Sequence, residues 1–394
     1  MWVKKRHKII VAILKPVFKL YTKLKYNCIF DKPVDCKEGS VIISNHTTTM
    51  DPFLVGMLFK QNLYYMASAD LFQHKITGKI ITFLVNPIPK EKSNSSDISA
   101  IKNCVRVAKE NGNICIFVEG NRTLSGKLGN IDYSIVKLLK LIKKPLYICN
   151  IQGGYPTDPR WGNSIRRGKM KVGIKQVIPY EELKDMDNDE LYKLIVEQLT
   201  VDDYNFYPQY KGNRRAEHLE RILYICPVCK KLHTISTNKN HITCSSCGLT
   251  IEHLPNLTFK ANNEKFNLKN VAEWYDYQID EIKKSEYKDN ELIYQDNANF
   301  FITRAYKSKL KLGEGIIKLY NNRFEFITKD NTININFDNI KAVTLVGKKK
   351  MNIYANDNTY QIRRDLKFNA LKYMHMYCLI KNQKDGEGND FLGL

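Results

Sequence analysis

Between residues 41 and 151 the chain alternates between two hydrophobic periods. "VIISN", 41–45, is a short apolar, β-branched run, the pattern of a buried strand. "DPFLVGMLFK" then opens a helix, with Asp51 suited to the N-cap and Pro52 to the first helical position. In "SSDISAIKNCVRVAKENG", Ile98, Ile101, Val105 and Ala108 recur at helical spacing, with Ser96 or Asp97 as cap and Gly112 as stop. "ICIFV", 114–118, reads as a second strand, "YSIVKLLKLIKK" as a helix and "PLYICNI", 145–151, as another strand. Strand–helix alternation predicts an α/β unit with a mostly parallel sheet. In such sheets ligands gather at the carboxyl ends of the strands, and His46 and Glu119 both sit just past such ends.

The flanks follow other patterns. In residues 1–30, Ile10, Ile13, Leu14, Val17, Phe18 and Tyr21 recur at helical spacing among eight Lys or Arg and no Asp or Glu. The longest apolar run, "IIVAIL", is far short of the ~20 residues a membrane span needs, and no signal-peptide cleavage pattern follows. This composition predicts a basic helix lying in a membrane interface. Residues 211–255 carry a cysteine pattern taken up below, and 256–308 read as a linking segment with one helix around "VAEWYDYQIDEI". From 309 to 394 the period shortens to two, with Asn-Asn, Lys-Asp-Asn and Asn-Asp-Asn at predicted hairpin turns. A last helix, "NALKYMHMYCLIKN", closes this part, which is similar to a pleckstrin-homology-like small barrel. Its basic turn, Lys348–Lys350, reads as a solvated hairpin tip or a headgroup contact.

Composition narrows the partners. The 394 residues imply two or three units, and the formal net charge of +21 implies attraction to polyanions, nucleic acid or anionic lipid. Four of the ten cysteines form Cys226-x2-Cys229 and, fourteen residues on, Cys244-x2-Cys247. Two such knuckles predict a closed four-thiolate Zn2+ ribbon with a structural duty, His233 and His241 being the alternative ligands inside it. A nucleic-acid-binding or scaffold protein is the competing class. It lacks a recognisable stacking platform and leaves the polar residues around His46 unexplained, so no nucleic acid is expected.

The chemistry lies in two short stretches. In "NHTTTMD", His46 and Asp51 are five positions apart, about 140° around one helix, so they cannot share a helix face. They can meet if the histidine is on the loop after a strand and the aspartate starts the next helix. A carboxylate on one imidazole nitrogen raises basicity at the other, which makes a general base for an alcohol. No activated Ser or Cys accompanies the pair, so direct attack by the alcohol fits. "FVEGNRT" ends a strand with Glu119, Gly120 and Arg122: a carboxylate for the arginine or a substrate hydroxyl, a residue for a tight turn, and a planar fork for phosphate. Lys90 and Lys92, just before a helix start, add an anion site.

"NHTTTMD" and "FVEGNRT" resemble the NH(x4)D and FPEGTRS blocks of the glycerolipid acyltransferases. Residues 31–210 look like the 1-acylglycerol-3-phosphate (lysophosphatidic acid) acyltransferase family, in a bacterial form with an added zinc ribbon. Val118 and Asn121 depart from the usual proline and threonine, and lysines stand where the phosphate block commonly has arginine. The resemblance implies His46 as base, Asp51 as its orienting partner, and Glu119, Gly120, Arg122, Lys90 and Lys92 around the glycerol phosphate. It implies acyl carrier protein, coenzyme A or an acyl phosphate as donor, and phosphatidic acid as product. It also implies peripheral or monotopic attachment at the cytoplasmic face of the membrane, against anionic lipid. A different lysolipid acceptor is the alternative.

Overall fold

The structure, a computed structural model, describes residues 2–72, 75–90, 97–288, 290–303, 309–364 and 368–385. One unit is drawn from residues up to 160 and 165–212, and a second from 161–164 and 213 onward. In the first, α1 (Lys5–Tyr26) and β1 (Cys28–Phe30) lead into β2 (Val41–Ser44), α2 (Asp51–Gly56) and β3 (Leu63–Ser68). Then come α3 (Lys75–Leu84), β4 (Ile88–Lys90), α4 (Ile98–Lys109), β5 (Asn113–Phe117), α5 (Ser134–Ile142) and β6 (Leu146–Gln152). Short α6 (Gly154–Thr157), β7 (Met170–Ile178), α7 (Tyr180–Asp185) and α8 (Asn188–Leu199) complete the unit.

The seven strands form one sheet in the order β1-β7-β6-β2-β5-β3-β4. β6, β2, β5, β3 and β4 run parallel, whereas β7 is antiparallel to β6 and carries β1 with it. The expected mostly parallel α/β core is therefore present, with a reversed edge. Both faces are covered, which is why Val41–Ile43 of β2 read as an unbroken apolar run. Val41 and Ile43 pack with Cys104, Val107, Leu139 and Ile195 on one face, and Ile42 with Leu54, Leu58 and Phe59 on the other. Asp97 caps α4 by accepting from the Ala100 N–H at 3.0 Å. Ser96, the alternative cap, lies outside the described residues.

In the second unit, β8 (Ile235–Asn238), β9 (His241–Cys244), β10 (Thr250–His253) and β11 (Phe259–Ala261) form a four-stranded antiparallel sheet. After α9 (Val271–Lys283) come β12 (Leu292–Thr303), β13 (Leu310–Tyr320), β14 (Arg323–Thr328) and β15 (Thr332–Asn336). β16 (Ile340–Val346), β17 (Lys350–Ala355), β18 (Asn358–Arg363) and α10 (Ala370–Asp385) follow. These seven strands are antiparallel, in the order β15-β14-β13-β12-β18-β17-β16. The predicted linker 256–308 needs correcting. β11 belongs to the ribbon sheet, and β12 opens the β-rich part seventeen residues before the expected start, because "YQDNANF" hides its alternation behind polar residues on both faces. The Lys348 amine bonds the Gly162 carbonyl and Asn163 Oδ1, so this lysine is not a free hairpin tip.

Candidate active site

β2 and β5 are adjacent and parallel, with Ser44 opposite Phe117. Their carboxyl ends therefore release "NHTTTMD" and "VEGNRT" side by side. Asp51 is the first residue of α2 rather than its cap, because its side chain turns back onto the preceding loop. Asp51 Oδ2 accepts from the Thr47 N–H at 2.5 Å and the Thr48 N–H at 2.9 Å, while Oδ1 accepts from the Thr48 hydroxyl at 2.6 Å. The threonine run is thus a nest of donors that holds a fully buried carboxylate. His46 Nδ1 lies 2.7 Å from the same Oδ2, with its ring stacked on Phe117 at 4.4 Å between centroids. The imidazole retains 19% exposure against 0% for Asp51, so one partner is buried and the other reachable.

Glu119 faces inward. Oε1 accepts the His46 N–H at 2.5 Å and Oε2 the Gly129 N–H at 2.7 Å, so this carboxylate ties the two loops together by their backbones. The Thr123 N–H adds a 2.9 Å bond to the His46 carbonyl. Arg122 does not pair with Glu119. Its Nη1 donates to Thr49 Oγ1 at 3.1 Å, and the Arg160 guanidinium donates to the Arg122 carbonyl at 3.2 Å. Gly120 has φ +66°, the left-handed region that glycine tolerates, and a Cβ there would meet nothing within 4 Å. Lys90 is exposed at the end of β4. With β5 two strands away, its backbone lies roughly 10 Å from that of Phe117. Lys92 lies outside the described residues.

Sequence reasoning found the pair and missed its supports. Asn45 donates Nδ2 to the Ile151 carbonyl at 3.0 Å and accepts the Ile151 N–H at 2.8 Å, fastening the loop to β6 as another strand residue would. No periodicity announces such a bond.

Buried carboxylates make stability depend on pH. Burial pushes Glu119 up to about 8 against the opposing pull of the Gly129 and His46 N–H groups. Asp203, also buried, is raised to about 7, against the pull of the Gly153 and Tyr155 N–H groups. A carboxyl group whose folded value lies above its unfolded one binds its proton more tightly when folded. The stability it contributes is full below the unfolded value and is lost as pH rises through the folded one. Thermal denaturation should therefore show the melting temperature of the wild type falling between pH 5 and pH 8. Glu119→Gln should flatten the upper part of that slope, and an unchanged slope in this variant would discount the carboxyl group.

In the second unit the four thiols of Cys226, Cys229, Cys244 and Cys247 all lie within 4.8 Å of one another. Cys226 Sγ to Cys247 Sγ and Cys229 Sγ to Cys244 Sγ are each 3.7 Å. A tetrahedron of sulfurs about 2.3 Å from a central metal has edges of about 3.8 Å, so the set fits a metal ion. The Lys230 N–H closes the first knuckle on the Cys226 carbonyl at 2.8 Å, and the Gly248 N–H closes the second on the Cys244 carbonyl at 3.1 Å. The two histidines are not part of the cluster: His241 is exposed on β9, and both ring nitrogens of His233 approach Lys372 Nζ, at 3.1 and 3.2 Å.

The strand ends of this α/β sheet thus hold a partly exposed imidazole against a fully buried carboxylate. Residues 25–152 match the Acyltransferase family model. No curated protein matches the chain. Among solved structures it is similar to the 1-acyl-sn-glycerophosphate (LPA) acyltransferase PlsC from Thermotoga maritima. The identity is 18%, over 49% of this chain and 78% of that one, with a TM-score of 0.41. It is also similar to the C-terminal domain of an unknown protein from Leishmania infantum, at 13% identity over 19% of this chain and 71% of that one, with a TM-score of 0.15.

Proposed function

We propose that this protein is a membrane-surface O-acyltransferase that moves a fatty acyl group from an acyl thioester to the free hydroxyl of 1-acylglycerol-3-phosphate, giving phosphatidic acid in phospholipid synthesis. The observation that carries the reading is the 2.7 Å contact of His46 Nδ1 with the buried Asp51 carboxylate, inside the acyltransferase segment. A carboxylate only accepts, so it fixes the ring proton on Nδ1 and leaves Nε2 as the base. Nε2 takes the proton of the acceptor hydroxyl as that oxygen attacks the donor carbonyl carbon. The carbon–sulfur bond then breaks, and the proton passes to the departing thiolate. Burial pushes the thiols of Cys28 and Cys104 up to about 12 and Cys115 and Cys149 up as well, so none of them offers a thiolate at neutral pH. Direct attack by the alcohol needs none.

Arg122, with Lys90 and Lys92, is assigned to the acceptor phosphate, and Gly120 leaves room for it to approach the backbone. Glu119 serves the same site from behind, by holding the His46 backbone. The donor is acyl carrier protein or coenzyme A, loaded as the thioester; if it is an acyl phosphate instead, the carbon–oxygen bond breaks and phosphate leaves with the proton. The deciding assay is purified protein with detergent-dispersed lysophosphatidate and each donor in turn, beside lysolipids bearing other headgroups. Turnover confined to another headgroup would reassign the acceptor. Zn2+ is assigned to the four thiolates as a structural ion, with the β-rich part as a pleckstrin-homology-like module.

Attachment to anionic membrane follows from α1. Among the described residues no helix is long and apolar enough to cross a membrane. In α1 the buried residues are His7, Thr22 and Tyr26, and the Lys15 amine is bonded to the carbonyls of Phe59, Lys60 and Gln61. Ile9, Ile13, Val17, Leu20 and Leu24 are 60–77% exposed, so the helix turns an apolar stripe outward. Phe53, Ile80 and Phe83 are also about half exposed. An outward apolar stripe flanked by lysines suits the headgroup–acyl boundary at the cytoplasmic face. In vesicle flotation, Ile13→Glu with Val17→Glu should abolish the salt-resistant part of binding to anionic vesicles and leave a salt-sensitive remainder. Flotation equal to wild type at high salt would move the contact to another surface.

A further inference from the structure

The acyltransferase match ends at residue 152, yet the loops around His46 are braced by side chains fifty residues further on. Asp203 follows α8 and is fully buried. Its Oδ1 accepts the Gly153 N–H at 2.6 Å and its Oδ2 the Tyr155 N–H at 3.2 Å, so one carboxylate shapes the turn at the carboxyl end of β6. Gly153 has φ +75° there. Gly154, between the two donors, is pressed against the catalytic loop: a Cβ on it would lie 2.1 Å from Thr47 Oγ1 and 3.0 Å from Thr47 Cβ. Thr47 is the residue whose N–H reaches Asp51 at 2.5 Å. It is therefore caught between the turn that Asp203 holds and the carboxylate that orients His46.

The neighbouring residue reaches the other loop. The Tyr204 hydroxyl donates to the Ser125 carbonyl at 2.5 Å. Tyr155, whose N–H is on Asp203, lies against Gly126, where a Cβ would meet its ring at 2.6 Å. The segment Ser125–Gly129 carries the Gly129 N–H that holds Glu119. Asp203 thus reaches the His46 loop through the turn after β6, and Tyr204 bonds the Ser125–Gly129 segment directly; Glu119 joins these two loops by their backbones.

We propose that Asp203 is a positioning residue for acyl transfer, which fixes the turn after β6 and through Thr47 the alignment of Asp51 with His46, while Tyr204 anchors the Ser125–Gly129 segment. Neither side chain contacts His46, so the effect is on its placement. The proposal rests on His46 and Asp51 as the base pair, and not on which acceptor they serve. Asp203→Asn keeps the shape but replaces one acceptor oxygen with an NH2 group aimed at an N–H. A misplacement of this order lowers turnover by about 10- to 100-fold. Asp203→Asn should therefore lose kcat by that factor, with KM for donor and acceptor within about twofold and the metal content unchanged. Tyr204→Phe, which removes only a hydroxyl, should show a smaller loss of the same type. Amide hydrogen exchange on the whole protein reads the brace without any substrate: in Asp203→Asn, exchange should quicken at 153–157 and also at 45–51, and stay as in wild type at 235–253. Quickening confined to 153–157, or a folded Asp203→Asn enzyme with kcat within twofold of wild type, overturns the proposal. Wild type inactive on lysophosphatidate would count against the acceptor alone, and the exchange result would still decide the brace.

Discussion

His46→Ala should lower acyl transfer by about 10²–10⁴-fold, the usual contribution of a positioned general base, while the melting temperature stays near that of wild type. The imidazole keeps 19% exposure and stacks on Phe117, so its loss leaves a shallow gap rather than a core cavity. Asp51→Asn is the more informative partner. Four donors reach Oδ2: His46 Nδ1, the Thr47 and Thr48 N–H groups and, at 3.5 Å, the Thr47 hydroxyl. An asparagine can keep its oxygen there and direct its NH2 group to Thr48 Oγ1, which is able to accept. The loop is then preserved, and only the charge that stabilises the imidazolium is removed. Turnover should fall by about 10²-fold or more, with little change in KM. The measurement is steady-state kinetics on both variants with folding checked by circular dichroism; a folded His46→Ala enzyme within tenfold of wild type would falsify the assignment of the base.

The pair was legible because its two residue types stand at a strand end and a helix start, and both positions follow from local pattern. Val41–Ile43 and "ICIFV" are apolar at every position, since β2 and β5 are covered on both faces. Register then brings Ser44 opposite Phe117 and the two motifs together. What stayed hidden depends on contacts distant in sequence. The two carboxylate oxygens of Glu119 serve backbone groups 73 and 10 residues away, so a motif reading places the residue on substrate instead. The helical period of residues 5–26 was visible, but not that its His7, Thr22 and Tyr26 side would dock. Hydrophobic pattern gives the faces of a helix and is silent on which one is inward when a second apolar phase exists. β12 was missed for a related reason: Gln295, Asp296 and Asn297 interrupt its alternation, yet Asp296 faces a Lys372 ammonium and the Tyr373 hydroxyl of α10, partners that only the tertiary fold supplies.

Cys226→Ser should release the metal and unfold the ribbon. Cys226 is fully buried, with its N–H on the Lys231 carbonyl and its carbonyl on the Lys230 N–H, so ligand and turn are one structure. A serine hydroxyl is a far poorer ligand than a thiolate, and a metal held by four thiolates accounts for about 10–16 kcal/mol of folding free energy in peptides of this type. The four strands β8–β11 and their turns bury Ile242, Cys244, Leu249, Ile251, His253 and Leu257, a small core for which the ion is a staple. Wild type should contain one equivalent of zinc per chain. A strong chelator should remove it, with amide exchange rising across 224–261. Acyl transfer should decline only as far as folding does, because His46, Asp51 and Arg122 lie in the other unit. Mass spectrometry under native conditions checks the stoichiometry. Less than about half an equivalent of zinc, with no other metal in its place, would overturn the four-thiolate site, and exchange at 224–261 unchanged by chelation would deny the ion its structural duty.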